Sequence, residues 1–206
     1  MDIKLGRIAK SDADLNNVIC ELVDVHIKSF QNFFLSFLGR RFLALFYKSL
    51  AREEGGIIII AKLSDRIVSF VAGVEDQIAF YKVILKKYKW NFAIYSLPAL
   101  LKKPSILPRL LRALKRPKEA SIMSSRCCLM SICVHPDYQG LGLGKILIQE
   151  FCQELVKRGI ISVCLTTDRD NNDNVNKFYQ KLGFKLVRSF ITNEGRPMNE
   201  YLKLLD

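Results

Sequence analysis

Hydrophobic and polar positions follow two periods along this chain. Ile3 to Ala9 reads as a short strand. Leu15, Val18, Ile19, Leu22 and Val23 then recur on one helical face, with Ser11 or Asp12 placed to cap a helix running toward Lys28. Gly39 breaks the next segment. Phe42, Leu45, Phe46, Ser49 and Leu50 resume helical spacing until Gly55-Gly56 ends it. Ile57 to Ala61 is a β-branched run, Leu63-Ser64-Asp65-Arg66 a turn, and Ile67 to Val74 a second strand, so the pair predicts a hairpin.

From Ser121 onward strands and helices alternate. Cys127 to Val134 is almost wholly apolar, as a strand buried on both faces would be. After Gly140 to Gly144, a helix carries Leu143, Leu147, Phe151 and Leu155 at i, i+4 spacing, and Gly159 closes it. Ile160 to Thr166 predicts a strand, Asn172 to Leu182 a short helix, and Phe184–Ile191 and Met198–Leu205 the last strands. The pattern is α/β, in one domain over 1–206. The interval 77–118 stands apart. It holds eleven Lys and Arg residues and no Asp or Glu, and Pro98, Pro104, Pro108 and Pro117 predict short helices separated by turns. It reads as a basic helical insertion before the central strand.

Composition narrows the function classes. Of the 206 residues, 50% are hydrophobic and 25% charged, so disorder is excluded for most of the chain. The net charge of +12 points to an anionic partner. Six cysteines form no C-x-x-C and only two histidines are present, which excludes a zinc site and leaves no metal expected. Apolar surroundings for most of these cysteines suit a reducing, cytoplasmic setting. Met1 to Lys10 is too polar for a secretory signal. The uncharged stretches Ser29–Gly39 and Trp90–Leu101 fall short of the ~20 residues that span a bilayer, although peripheral membrane contact stays open. No RNA-binding or zinc-finger spacing supports nucleic-acid recognition.

The sharpest local signal is Val134-His135-Pro136-Asp137-Tyr138-Gln139-Gly140-Leu141-Gly142-Leu143-Gly144-Lys145. A buried strand runs through a glycine-rich turn into an amphipathic helix. Glycines let backbone N–H groups approach an anion, the helix dipole favours it, and Lys145 adds a point charge. A P-loop fails at Gln139 and Ile146, and a dinucleotide fingerprint fails at Lys145.

Gln139-Gly140-Leu141-Gly142-Leu143-Gly144 resembles the Q/R-x-x-G-x-G/A loop of the GNAT family of N-acetyltransferases, and Val134-His135-Pro136 resembles the V-x-P before it. Asn172 to Val175 with Phe178-Tyr179-Gln180-Lys181-Leu182-Gly183-Phe184 is similar to the family's N-x-x-A…Y-x-x-x-G-F helix, with Val175 in place of the small residue. The resemblance implies a mixed, mostly antiparallel central sheet with a splayed parallel strand pair, flanked by helices. It implies acetyl-CoA as co-substrate, its pyrophosphate gripped by Gln139, Gly140, Leu141, Gly142, Leu143, Gly144 and Lys145. The backbone near Ile132 and Val134 would pair with the pantetheine arm, and Asn172 would contact it or serve as a helix cap.

The same resemblance implies direct attack of a primary amine on the thioester, with Tyr179 as the acid for the departing thiolate; core packing is the other role open to Tyr179. The central strand carries no carboxylate, so the base is sought in Glu75 (with Asp76) at the end of the hairpin, in His26, or in water. Glu75 also suits a solvated strand end, and His26 a half-buried helix position. The aromatic stretch Ser29–Gly39 with Phe42 and Tyr47 is similar to acetyltransferases found with bacterial surface-polysaccharide genes. That favours a small-molecule amine, such as a nucleotide-linked amino sugar, with the basic insertion as a lid over a phosphorylated acceptor. Protein or polyamine acceptors are the alternative, as is a non-catalytic module that binds nucleic acid or membrane through 77–118. The acceptor and the oligomeric state stay open.

Overall fold

A computed structural model describes residues 3–205 apart from 11, 13, 32 and 113–121. Its sheet has seven strands: β1 (Ile3–Arg7), β2 (Gly56–Leu63), β3 (Arg66–Val74), β4 (Cys128–Val134), β5 (Ser162–Asp168), β6 (Lys185–Ile191) and β7 (Pro197–Leu204). They lie in the order β1-β2-β3-β4-β5-β7-β6. Every neighbouring pair is antiparallel except β4 and β5, which are parallel. This is the mixed, mostly antiparallel sheet expected from the motifs. The β2–β3 hairpin turns on Ser64 (φ 48°) and Asp65 (φ 63°), both left-handed, as a two-residue turn between right-twisted strands requires.

β2 shows why the sheet is central. Ile58 and Ile60 enter one core while Ile57, Ile59 and Ala61 enter the other, so the β-branched run is buried on both faces. The first face is covered by α1 (Leu15–Ser29) and α3 (Arg40–Arg52), through Leu15, Ile19, Leu22, Val23, Leu43, Tyr47 and Leu50. The short α2 (Phe34–Phe37) joins them. The expected cap of α1 differs: the Asp12 carboxylate accepts from Ala9 N at 2.9 Å in the preceding loop, and Ser11 lies outside the described residues.

The insertion forms α4 (Gln77–Val83), a π-helical turn (Ile84–Tyr88), α5 (Lys89–Lys102), a 3-10 turn (Pro104–Ile106) and α6 (Leu107–Arg112). Lys115, Arg116, Pro117 and Lys118 lie outside the described residues. The Asp76 carboxylate caps α4, accepting from Ile78 N at 2.9 Å and Ala79 N at 3.0 Å. Pro98 does not cut the chain as its type predicts; it sits inside α5. The carbonyl it deprives belongs to Ile94 on the exposed side, where water can serve it. The other side of α5 packs against α3, with the Phe92 and Phe42 rings 4.8 Å apart and Ala99 buried with Leu38 and Ile106. Among the described residues, no helix is long and apolar enough to cross a membrane.

The second sheet face is covered by α7 (Leu143–Lys157), whose Leu143, Leu147, Ile148, Phe151 and Leu155 are all buried, and by α8 (Asp173–Lys181) through Tyr179.

Candidate active site between the splayed strands

β4 and β5 share one register pair, Cys128 with Cys164, beside a hydrogen bond from Cys164 N to Cys127 O of 2.9 Å. β4 stays paired with β3 up to Val134 opposite Ser69, and β5 with β7 from Ser162 to Asp168, so the sheet opens between these two strands and not at their outer edges. The parting coincides with an irregularity in β4: Ala72 faces Ser131 but the next residue, Gly73, faces Leu129, which leaves Met130 as the extra residue of a bulge. Beyond it, His135 N donates to Val68 O at 2.8 Å, toward β3. Strand alternation then turns the backbone groups of Val134 and Ile132 the other way, into the gap. Ser29 Oγ at the end of α1 has one proton between two acceptors, Val25 O at 2.8 Å and Val134 O at 2.9 Å, so at least one lone pair of Val134 O stays open.

The open end of the gap leads into the glycine loop. Pro136–Tyr138 makes a 3-10 turn, capped by His135 Nδ1 accepting from Asp137 N at 3.3 Å, which gives His135 a structural task. Gly140 (φ 79°) and Gly142 (φ 74°) hold left-handed backbone, and a Cβ at either would meet nothing within 4 Å. Gly144 differs. A Cβ there would lie 3.2 Å from Phe178 Cζ, so this glycine lets the first turn of α7 sit against α8. Gly142 caps α7 with no side-chain bond, and no acidic residue lies in the first turn. The amides of Leu143, Gly144 and Lys145 therefore point outward unpaired by the helix. Gln139, Leu141 and Lys145 are exposed around them, whereas the Leu143 side chain is buried and can offer only its amide. The arrangement fits a phosphate group: open space, outward amides, a helix N-terminus and a lysine.

Tyr179 is 6% exposed, packed against Phe178, Phe184 and Tyr201. Burial first, and then the Cys133 and Cys128 thiols of β4, push its phenol well above the ordinary value, so it keeps its proton. Its hydroxyl makes no hydrogen bond to another described residue. Asn172 stands at the cap position of α8 but caps nothing; its Nδ2 donates to Thr167 Oγ1 at 2.9 Å and Asp168 O at 3.0 Å, pinning the end of β5.

The two residues singled out as bases lie far apart. His26 is 2% exposed on α1, with Nδ1 2.7 Å from the Tyr47 hydroxyl and 3.8 Å from Cys133 Sγ. Its Nε2 is buried without a partner among the described residues. Burial lowers its pKa to about 4, so the ring is neutral near pH 7. Glu75 does not join the cleft. It follows Val74, which faces Cys128 at the closed end of β4, and Val134 is six positions further along that strand, about 20 Å away. There it pairs with Arg158 beyond the C-terminus of α7, while Asp76 pairs with Arg126 at 2.5 Å.

Other residues shape the cleft without a motif to announce them. Asn176, on the buried side of α8, donates to Asp168 O at 3.0 Å and Asn172 O at 2.9 Å. Its Oδ1 accepts from Asn199 Nδ2 at 3.0 Å and the Tyr201 hydroxyl at 2.8 Å, tying β5, α8 and β7 together. A polar residue one turn after Asn172 on the apolar side of the helix was the available signal. Arg196, between β6 and β7, donates twice to Asp168 at 2.5 and 2.6 Å and lies 5.8 Å from the Phe33 ring, bridging β5 to the α1–α2 connection. That pairing had no sequence signal, because it joins residues 28 positions apart.

Comparisons with known proteins bear on the fold and the family. Over 56 residues the chain is 41% identical to the uncharacterized N-acetyltransferase ycf52 of Pyropia yezoensis, covering 27% of this chain and 30% of that protein. Over 79 residues it is 36% identical to the [ribosomal protein bS18]-alanine N-acetyltransferase of Escherichia coli, covering 36% and 53%. The matches thus span about a third to a half of these relatives. In fold, it resembles an aminoglycoside 6'-N-acetyltransferase solved with coenzyme A, with a TM-score of 0.61 and 16% identity over 100% of this chain and 98% of that one. A family model described as "Acetyltransferase (GNAT) family" matches residues 22–184, most of the chain, and the chain is a member of that family.

Proposed function

We propose that this acetyltransferase takes acetyl-CoA and transfers acetyl to the primary amine of a small molecule, such as a nucleotide-linked amino sugar. The observation that carries the reading is the meeting of two features at one place: the gap where β4 and β5 part, and the uncapped, glycine-lined N-terminus of α7 at its open end. Acetyl-CoA supplies an activated thioester carbonyl. The amides of Leu143, Gly144 and Lys145 hold phosphate oxygens, and the backbone of Ile132 and Val134 lines the path for the pantetheine amides. Tyr179, protonated and facing β4, gives its proton to the leaving sulfur.

The amine loses its proton to water. Glu75 is spent on Arg158 at the far end of the sheet, and His26 is buried and too weak a base near pH 7. The acceptor lies on the α1–α2 side, where the Phe30 and Phe33 rings meet edge to face with centroids 4.8 Å apart and the Arg196–Asp168 pair completes the rim. Aromatic rings at the rim suit the apolar face of a sugar, and Arg196, already paired with Asp168, holds that rim in place. A peptide N-terminus is the second reading, favoured by the similarity to the alanine N-acetyltransferase. Thiol release from acetyl-CoA, measured across amino sugar nucleotides, amino sugar phosphates, polyamines and peptides with free N-termini, separates them. Release fastest with a phosphorylated amino sugar supports the proposal. Release only with peptides replaces the acceptor, and no amine-dependent release with any of them defeats it.

A further inference from the structure

α5 carries an apolar stripe that the described residues leave exposed. Trp90 (72% exposed), Ile94 (58%), Leu97 (50%) and Leu101 (82%) recur at i, i+4, i+7 and i+11. That is one line down a helix about 20 Å long. The opposite side, with Phe92, Ser96 and Ala99, is already packed against α3 and its neighbours. The outer stripe therefore adds nothing to the core, and a helix apolar on both sides is not expected at a water-facing surface.

Charge surrounds the stripe. Lys89 and Lys102 bound α5 at its two ends, and Lys82, Lys86 and Lys103 are exposed close by in sequence. Lys89 Nζ lies 5.4 Å from the centre of the Trp90 ring. No Asp or Glu occurs between Gln77 and Lys118. Pro98 leaves the stripe unbroken, with Leu97 and Leu101 on either side of it within one helix.

We propose that this face docks the enzyme onto a bilayer containing anionic lipid, with the stripe at the acyl boundary and the lysines among the headgroups. The two features select this partner together. A nucleic acid would use the lysines but not four exposed apolar side chains. A second copy of the chain, meeting through the same face, would set lysine against lysine. An anionic bilayer uses both, and an indole with flanking ammonium groups suits its interface. The proposal is independent of the amine acceptor.

Trp90 is the chain's single tryptophan and reports on the face directly. The full chain is titrated with vesicles of phosphatidylcholine alone, or mixed with phosphatidylglycerol, with emission and sedimentation followed together. The proposal expects a blue shift, quenching by brominated acyl chains, and co-sedimentation with the anionic vesicles, all weakened by salt. Replacing Lys86, Lys89, Lys102 or Lys103 by Gln should lower partitioning about fivefold for each change. The triple variant Ile94→Ser, Leu97→Ser, Leu101→Ser keeps Trp90 and should lose binding while retaining amine-dependent thiol release in solution. Unchanged Trp90 emission with anionic vesicles overturns the proposal, whatever the variants do. Equal binding to pure phosphatidylcholine overturns it as well. So does a lipid-free, concentration-dependent dimer that buries Trp90, which would give the face to a second copy.

Discussion

Acidification should strain the fold at one identifiable point, His26. Its ring is buried on α1 between Tyr47 and Cys133, and burial lowers its pKa from 6.5 to about 4. In the unfolded chain the ring takes a proton below about pH 6.5, whereas the folded protein resists it until about pH 4. The unfolded state therefore binds more protons throughout that window. The sign follows: the contribution is complete above about pH 6.5, falls as pH drops toward 4, and changes no further below. A difference of that size corresponds to about 3 kcal/mol, a sizeable share of the stability of a domain. Urea unfolding from about pH 7 down to pH 4, comparing wild type with His26→Gln, isolates this from the carboxylates, which titrate in both proteins. Wild type should lose about 3 kcal/mol more than the variant across the window, even if the variant begins less stable through its altered bond to Tyr47. Parallel losses in the two proteins would refute the reasoning and show that the buried ring is protonated as easily as a solvated one.

Tyr179→Phe removes only the hydroxyl and should lower kcat on the order of 10²–10⁴, with acetyl-CoA Kd nearly unchanged, as read by steady-state kinetics and calorimetry where chemistry limits the rate. Gly73→Ala should destabilise by about 1–3 kcal/mol in thermal unfolding, because its Cβ would lie 2.5 Å from both Cys128 O and Phe151 Cζ. Glu75→Gln should lower the melting temperature by weakening the pair with Arg158 while leaving kcat unchanged; a collapse of kcat with intact stability would restore it as the base.

What the sequence disclosed was set by what is local. The β-branched runs flanking Ser64-Asp65, the four apolar residues of α7 one turn apart, and the spacing of Gly140, Gly142 and Gly144 all encode their geometry within a few residues. The motif also marked the places of Tyr179 and Asn172, although not that Asn172 would pin β5 instead of capping α8. Glu75 shows where local reading stops. It ends the strand beside β4, but antiparallel register puts that end opposite Cys128 and away from Val134, and only the fold reveals this. Pro98 was legible as a helix breaker by type, yet the solvent side of α5 tolerates it. The Asn176 and Arg196 contacts join separate elements, so no pattern along the chain contained them.

The most direct test of the account is whether the glycine loop holds the cofactor. A ligand bound only by the folded chain stabilises it by mass action, by about 2.7 kcal/mol at ~100 times its Kd. Melting of wild type and Gly142→Glu should therefore be followed with and without acetyl-CoA. At Gly142 a side chain would enter the open space in front of the α7 amides and set a carboxylate where phosphate oxygens belong. Its left-handed φ of 74° adds about 1 kcal/mol of strain to the variant even without ligand. The account predicts a clear upward shift for wild type and none for Gly142→Glu. No shift in wild type, or an equal shift in both proteins, would contradict it.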